Sequence, residues 1–148
     1  MLYTIGELAK KLDIPTSTLR FYDKKGLLPF MKRSSGGMRM FADQDLECLR
    51  IVECLKRSGM SLKEIRHFID MVMIGDATID ARLAMFRRRK EEVEKQIADL
   101  QATLKTIEYK CWYYEAAKAA GTTAVPDMLP DEQVPKELLD VRKVLSSV

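Results

Sequence analysis

The sequence predicts a mainly α-helical chain in two parts. The first is a compact bundle of four short helices with a small β-hairpin, and the second is one long helix with a short tail. Three observations predict it. Amphipathic segments bounded by capping, glycine and proline signals fill residues 1–75. A Gly-containing turn at 34–37 lies between two short apolar and basic alternations. From Thr78 to Ala120 there is neither Gly nor Pro, and apolar residues recur at heptad spacing.

The first helix opens at Thr4 with a capping box. The Thr4 hydroxyl accepts the Glu7 amide and the Glu7 carboxylate reaches back to the Thr4 amide. Ile5, Leu8, Ala9 and Leu12 share one face, and Asp13-Ile14-Pro15 ends the helix because a residue before proline is pushed out of the helical region. Thr16 to Lys25 forms the second helix, with Gly26 free to take a positive φ behind it. Two short helices joined by so few residues match a helix-turn-helix. Leu27 to Arg33 and Met38 to Phe41 then flank Ser34-Ser35-Gly36-Gly37 as the hairpin, which makes the unit a winged helix-turn-helix. Phe21 and Phe41 are expected in its core. Asp43 to Arg57 is the third helix, stopped by Ser58-Gly59. A second capping box, Ser61 with Glu64, starts a fourth that runs through about Val72.

The long helix carries Ile79, Leu83, Phe86, Lys90, Val93, Ile97, Leu100, Leu104, Ile107, Cys111 and Tyr114 in alternating steps of four and three. Sustained heptads of this kind form a coiled coil. At 1.5 Å per residue, about 42 residues span roughly 63 Å, which the small N-terminal unit cannot cover. A second copy of the chain is the expected partner, through Leu83, Phe86, Val93, Ile97, Leu100, Leu104, Ile107 and Cys111. Pro126, Pro130 and Pro135 segment the remaining tail, and Lys136 to Leu145 reads as a last short helix that packs on the dimer or frays. The expected domains are therefore 1–75, 76–120 and 121–148.

Composition narrows the function. The 148 residues carry a net charge of +3, unevenly divided. Residues 1–41 hold eight Lys/Arg against three acids, +5, and the remainder holds 17 against 19, −2. The basic end suits a polyanion. His67 is the sole histidine and no Gly-rich phosphate loop occurs, so an enzyme and a metal centre are not expected, nor is a cofactor. No apolar run of membrane length and no leader-like start is present, so a cytoplasmic location is expected. Cys48, Cys54 and Cys111 lack any CxxC pairing and are expected as free thiols.

The ordered motifs Thr4-Ile5-Gly6-Glu7-Leu8-Ala9, Thr18-Leu19-Arg20-Phe21-Tyr22-Asp23, Gly26-Leu27-Leu28, Arg39 with Phe41, and Lys56 to Ile65 resemble the MerR family of bacterial transcription regulators. The resemblance covers roughly residues 1–120. It implies a dimer with two winged domains on an antiparallel coiled coil. It also implies binding to a palindromic promoter operator, which is bent and twisted so that RNA polymerase engages it in response to an inducer.

The residues expected at double-stranded DNA follow from the physics of a recognition helix and wing. They are Thr4, Thr16, Ser17, Thr18, Arg20, Tyr22, Lys24 and Lys25 on the helices, with Lys32, Arg33 and Arg39 on the hairpin. A DNA-architectural or anchoring protein would use the same unit. Cys54 occupies the position of the single cysteine in an aldehyde- and nitrosative-stress-responsive branch of the family. Two readings stand for it, a sensor thiol flanked by Arg50, Lys56 and Arg57, or a small buried packing residue. Cys48 and Cys111 are expected as packing. Trp112, Tyr113 and Tyr114 beside Cys111 either pack or line a ligand pocket.

Overall fold

The computed structural model describes residues 1–146. It divides into two compact units, 1–91 and 92–148, whose boundary falls inside one continuous helix. The elements run β1 (Leu2–Thr4), α1 (Ile5–Leu12), α2 (Thr16–Lys24), β2 (Lys32–Arg33), β3 (Arg39–Ala42), α3 (Asp43–Arg57), α4 (Leu62–Ile74), α5 (Ile79–Ala120), α6 (Ala124–Met128) and α7 (Leu139–Ser146), with single 3-10 turns at 76–78, 131–133 and 136–138.

In the first unit both capping boxes form as expected. The Thr4 amide donates to Glu7 at 2.8 Å, and the Ser61 amide donates to Glu64 at 2.9 Å. Asp13 closes α1 in the left-handed region at φ 54 and leads into Pro15. Leu8, Leu19, Tyr22, Leu27, Phe41, Leu49, Val52, Ile65 and Ile69 make the core, and Met85 of α5 packs on it. Gly26 holds φ +72, and a Cβ there would run into the Arg66 guanidinium, whose Nη1 donates to the Lys25 carbonyl at 2.9 Å. α4 therefore grips the end of α2 at a point where only glycine fits.

Three expectations change. The sheet has three antiparallel strands in the order β1-β3-β2, not two. Leu2, Tyr3 and Thr4 pair with Ala42, Phe41 and Met40, a strand too short to leave an alternation in the sequence. The hairpin is also shorter, since Leu27 and Leu28 are drawn into the core and only Lys32 and Arg33 pair with β3. Phe21 is not core. It stays 42% exposed with the Lys25 ammonium 5.6 Å above its ring, whereas Phe41 is fully buried as expected.

In the second unit the tail folds on its own helix. Val134 and Leu138 cover Tyr109 and Tyr113, with Trp112, Leu139 and Val141 at the margin. Arg142 fastens the tail, donating to the carbonyls of Leu129 at 2.6 Å and Asp127 at 3.3 Å and pairing with Asp131 at 3.3 Å. Tyr109 and Tyr113 each lie two residues beyond a heptad position, about 200° round the helix. The tail thus covers a different face from the heptad stripe. Along that stripe Ile97, Leu100, Leu104, Ile107 and Cys111 remain exposed and Val93 is half-buried. Leu83 and Phe86, in the first unit, are exposed as well, and Phe86 meets Phe68 edge-on at 5.2 Å.

Among the described residues no helix is long and apolar enough to cross a membrane, and no group of His, Cys, Asp and Glu has the makings of a metal site.

Candidate nucleic-acid interface

The outward face of α2 follows from its periodicity. Leu19 and Tyr22 point into the core, which leaves Ser17, Arg20, Phe21 and Lys24 on one exposed face. Lys25 adds a fourth polar or basic group at its end, and Thr16 and Thr18 are half-buried at its start. Pro15 precedes the helix and offers no side-chain cap. The Thr18 amide donates to the Pro15 carbonyl at 3.0 Å, which leaves the Thr16 and Ser17 amides for an incoming acceptor, where the helix dipole favours an anion. Ser17, Arg20 and Lys24 are placed as a recognition helix requires, with a hydroxyl near the N-terminus and cations further along. Thr4 is committed to capping α1, with its hydroxyl and amide both engaged by Glu7.

Tyr22 is a correction. Its side chain is fully buried, so the ring does not reach DNA. Its hydroxyl donates to the Glu53 carboxylate and accepts from the Lys56 ammonium at 3.0 Å. Burial, then the Glu53 carboxylate, push the phenol above its ordinary value. The phenol holds α2 to α3 and fixes the azimuth of the exposed face. Aromatic identity in the middle of a basic helix gave no hint of this tie, because its partners lie more than thirty residues on.

The wing is oriented in the same way. Arg33 and Arg39 stand opposite each other across β2 and β3, a repulsive pairing. Asp23, at the end of α2, relieves it. Arg39 Nε donates to the Asp23 carboxylate at 2.7 Å, and Arg33 approaches the same oxygen at 3.9 Å. Arg33 also donates to the Gly37 carbonyl at 3.2 Å and closes the turn. Lys32 and Arg33 are exposed, while Arg39 is half-buried. Asp23 thus fastens the end of α2 to Arg33 and Arg39 of the wing, a role that residue type alone did not indicate.

The cysteines separate clearly. Cys48, on α3, is half-buried, and burial, with the nearby Asp45 carboxylate, pushes its thiol up to about 11. Asp45 itself is fully buried, accepts the Ala42 amide at 2.8 Å and has a carboxyl raised by burial. Cys54 is exposed on α3, so it is not the buried packing residue of the second reading. Cys111 is exposed on the heptad stripe of the second unit.

A helix-turn-helix whose recognition face and hairpin wing are basic and mutually fastened defines a DNA-binding protein of the winged helix-turn-helix class. Comparison with known proteins agrees. A family model described as MerR HTH family regulatory protein matches residues 3–72, and one described as MerR, DNA binding matches residues 46–109. An HTH-type transcriptional regulator of Haemophilus influenzae (strain ATCC 51907 / DSM 11121 / KW20 / Rd) is 47% identical over 122 residues, 82% of this chain and 90% of that protein. The HTH-type transcriptional regulator ZntR of Escherichia coli (strain K12) is 30% identical over 108 residues, 72% of this chain and 77% of ZntR. The crystal structure of HiNmlR, a MerR family regulator lacking the sensor domain, bound to promoter DNA, superposes with a TM-score of 0.77 at 46% identity, covering 84% of this chain and 99% of that one. The chain belongs to the MerR family of helix-turn-helix transcription regulators, a non-enzymatic class.

Proposed function

We propose that the chain acts in the cytoplasm as a homodimeric regulator. It binds a palindromic promoter operator, distorts it, and so controls its engagement by RNA polymerase. The observation that carries the reading is the exposed Ser17, Arg20, Lys24 face of α2, fastened through Asp23 to the basic hairpin. That the related HiNmlR was crystallised on promoter DNA supports it. The open stripe of Leu83, Phe86, Val93, Ile97, Leu100, Leu104, Ile107 and Cys111 supports a dimer, since isolated apolar stripes of this length need a partner. In this reading residues 1–75 bind DNA, 76–120 dimerise and 121–148 form a tail that caps the second unit. Direct contacts come from Thr16, Ser17, Thr18, Arg20, Lys24, Lys25, Lys32 and Arg33, with Arg39 positioning the wing and Thr4 orienting α1. Footprinting of the dimer on a palindrome between promoter elements, paired with transcription in vitro, tests the proposal. Protection with unchanged transcript output would favour an architectural protein instead.

The effector reading deepens this. Cys54 serves as the sensor thiol, because it is exposed and stands within α3, the helix tied to the recognition helix by Tyr22, Glu53 and Lys56. An adduct on Cys54 would disturb that tie and hence the angle of α2. Cys54→Ala is expected to abolish the transcriptional response to an electrophile while leaving operator binding intact. An unchanged response would remove Cys54 from the mechanism.

A further inference from the structure

We propose that the cavity between the end of α1 and α3 is a docking subsite that selects carboxylate-bearing electrophiles for Cys54. The inference rests on the sensor reading above. The cavity measures about 400 Å³ and opens to solvent between the Lys11–Ile14 segment and α3. That lies toward the lower end of small-molecule sites, about 300–1,000 Å³. Three cations, Lys11, Arg50 and Arg57, line it together with the acids Asp13 and Glu53.

The cations are not equally occupied. Glu53 receives the Tyr22 hydroxyl, and Lys56 lies against the same hydroxyl at 3.0 Å, so the Glu53 charge is met from its own side. Lys11 sits over the Tyr3 ring at 5.1 Å. Among the described residues neither Arg50 nor Arg57 is held in an ion pair. Each keeps a planar fork of donors whose preferred acceptor is a carboxylate, bound through two parallel hydrogen bonds. Ile14, which lines the same cavity, gives an apolar contact for the body of a small ligand.

Cys54 does not itself line this cavity, but helix spacing sets it on the face of α3 that supplies Arg50, Glu53 and Arg57. Arg50 and Arg57 are its i−4 and i+3 neighbours, which places their Cβ atoms about 5–6 Å from its own. The thiol is exposed, so a molecule anchored by its carboxylate at Arg50 and Arg57 brings an attached electrophilic centre alongside the sulfur. The chemistry balances without a further reagent. The thiol gives its proton to water, and Sγ attacks the electrophilic carbon or sulfur. A new Sγ–C or Sγ–S bond forms while the leaving group departs with the electron pair of the broken bond. With two acids beside three cations, the site favours a mono- or dicarboxylate over a more heavily charged anion.

The test compares iodoacetate with iodoacetamide, equal in size and mechanism but differing by one carboxylate, on the full-length protein. Peptide-resolved mass spectrometry follows Cys54 and Cys111 separately, with a neutral blocked cysteine as the solution reference. The expected result is an iodoacetate-to-iodoacetamide rate ratio at Cys54 about three- to fivefold above that reference, the effect of one uncompensated charge at close range in water. The excess should shrink in salt and disappear in Arg50→Gln, Arg57→Gln. A ratio equal to the reference, with Cys54 still reactive toward both reagents, would overturn the subsite while leaving the sensor. Reactivity toward neither reagent would overturn both. If Arg50→Gln, Arg57→Gln weakens operator binding and leaves the ratio unchanged, the cavity holds a DNA phosphate and the proposal fails.

Discussion

At the level of single residues, the same kind of cation does two jobs. Arg20 is exposed and unencumbered, whereas Arg39 is half-buried and held by Asp23 at 2.7 Å. Arg20→Ala should therefore remove a DNA contact directly, costing about 1–3 kcal/mol if it reads a base edge. It should leave the melting temperature of the free protein unchanged. Asp23→Asn keeps every cation yet releases the wing, so operator affinity should fall while net charge becomes more positive. A titration by fluorescence anisotropy decides between these roles, and an affinity that rises in Asp23→Asn would show that charge alone governs binding. Gly26 makes a second residue-level claim. Its φ of +72 and the Arg66 guanidinium packed against it leave no room for a Cβ. Gly26→Ala should cost about 1–2 kcal/mol from the backbone alone, measured by urea unfolding, with displacement of Arg66 adding to it.

At the level of elements, the sequence was most legible where local chemistry decides structure. The Thr4–Glu7 and Ser61–Glu64 boxes, the Asp43 to Arg57 helix and the long helix from Ile79 to Ala120 could all be read because caps, glycines and heptads are local signals. What could not be read depended on partners distant in the chain. β1 exists only because β3 accepts it, Tyr22 left the interface because Glu53 and Lys56 hold its hydroxyl, and the Tyr109–Tyr113 face became visible only once Val134 and Leu138 covered it. The capping boxes carry a pH prediction. Hydrogen bonds from Thr4 and Ser61 lower the Glu7 and Glu64 carboxyls below their ordinary 4.5. A lowered folded value means stability that is present above about 4.5 and lost as the pH falls through the depressed folded values. Asp45, raised by burial, works in the opposite direction, since its protonation favours the folded state. Melting temperatures taken between pH 6 and pH 3 should fall less steeply in Glu7→Gln, Glu64→Gln than in the parent, and parallel curves would show that the boxes contribute nothing to acid sensitivity.

At the level of the whole molecule, the question is why a chain this small leaves so much apolar surface uncovered. Ile97, Leu100, Leu104 and Ile107 are each more than half exposed along one stripe, while the tail covers the other side of the same helix. The tail therefore relieves one apolar face and leaves the heptad face uncovered, the face proposed above to meet a second copy. This division separates two kinds of failure. Leu100 and Leu104 belong to neither of the apolar clusters that hold the fold, so Leu100→Glu, Leu104→Glu should leave the protomer helical and folded. Facing a copy of itself across a heptad seam, the same pair buries charge without a partner, and the dimer should give way to monomers in sedimentation velocity runs. Each monomer still carries the Arg20 face and the wing, so DNA binding persists in kind but loses the gain that two linked half-sites provide, about a hundredfold or more. Operator affinity should drop by that factor while the affinity for a single half-site is unaltered. A variant that remains dimeric at micromolar concentration would place the dimer seam elsewhere on the chain. A monomer with undiminished operator affinity would show instead that one winged unit suffices for binding.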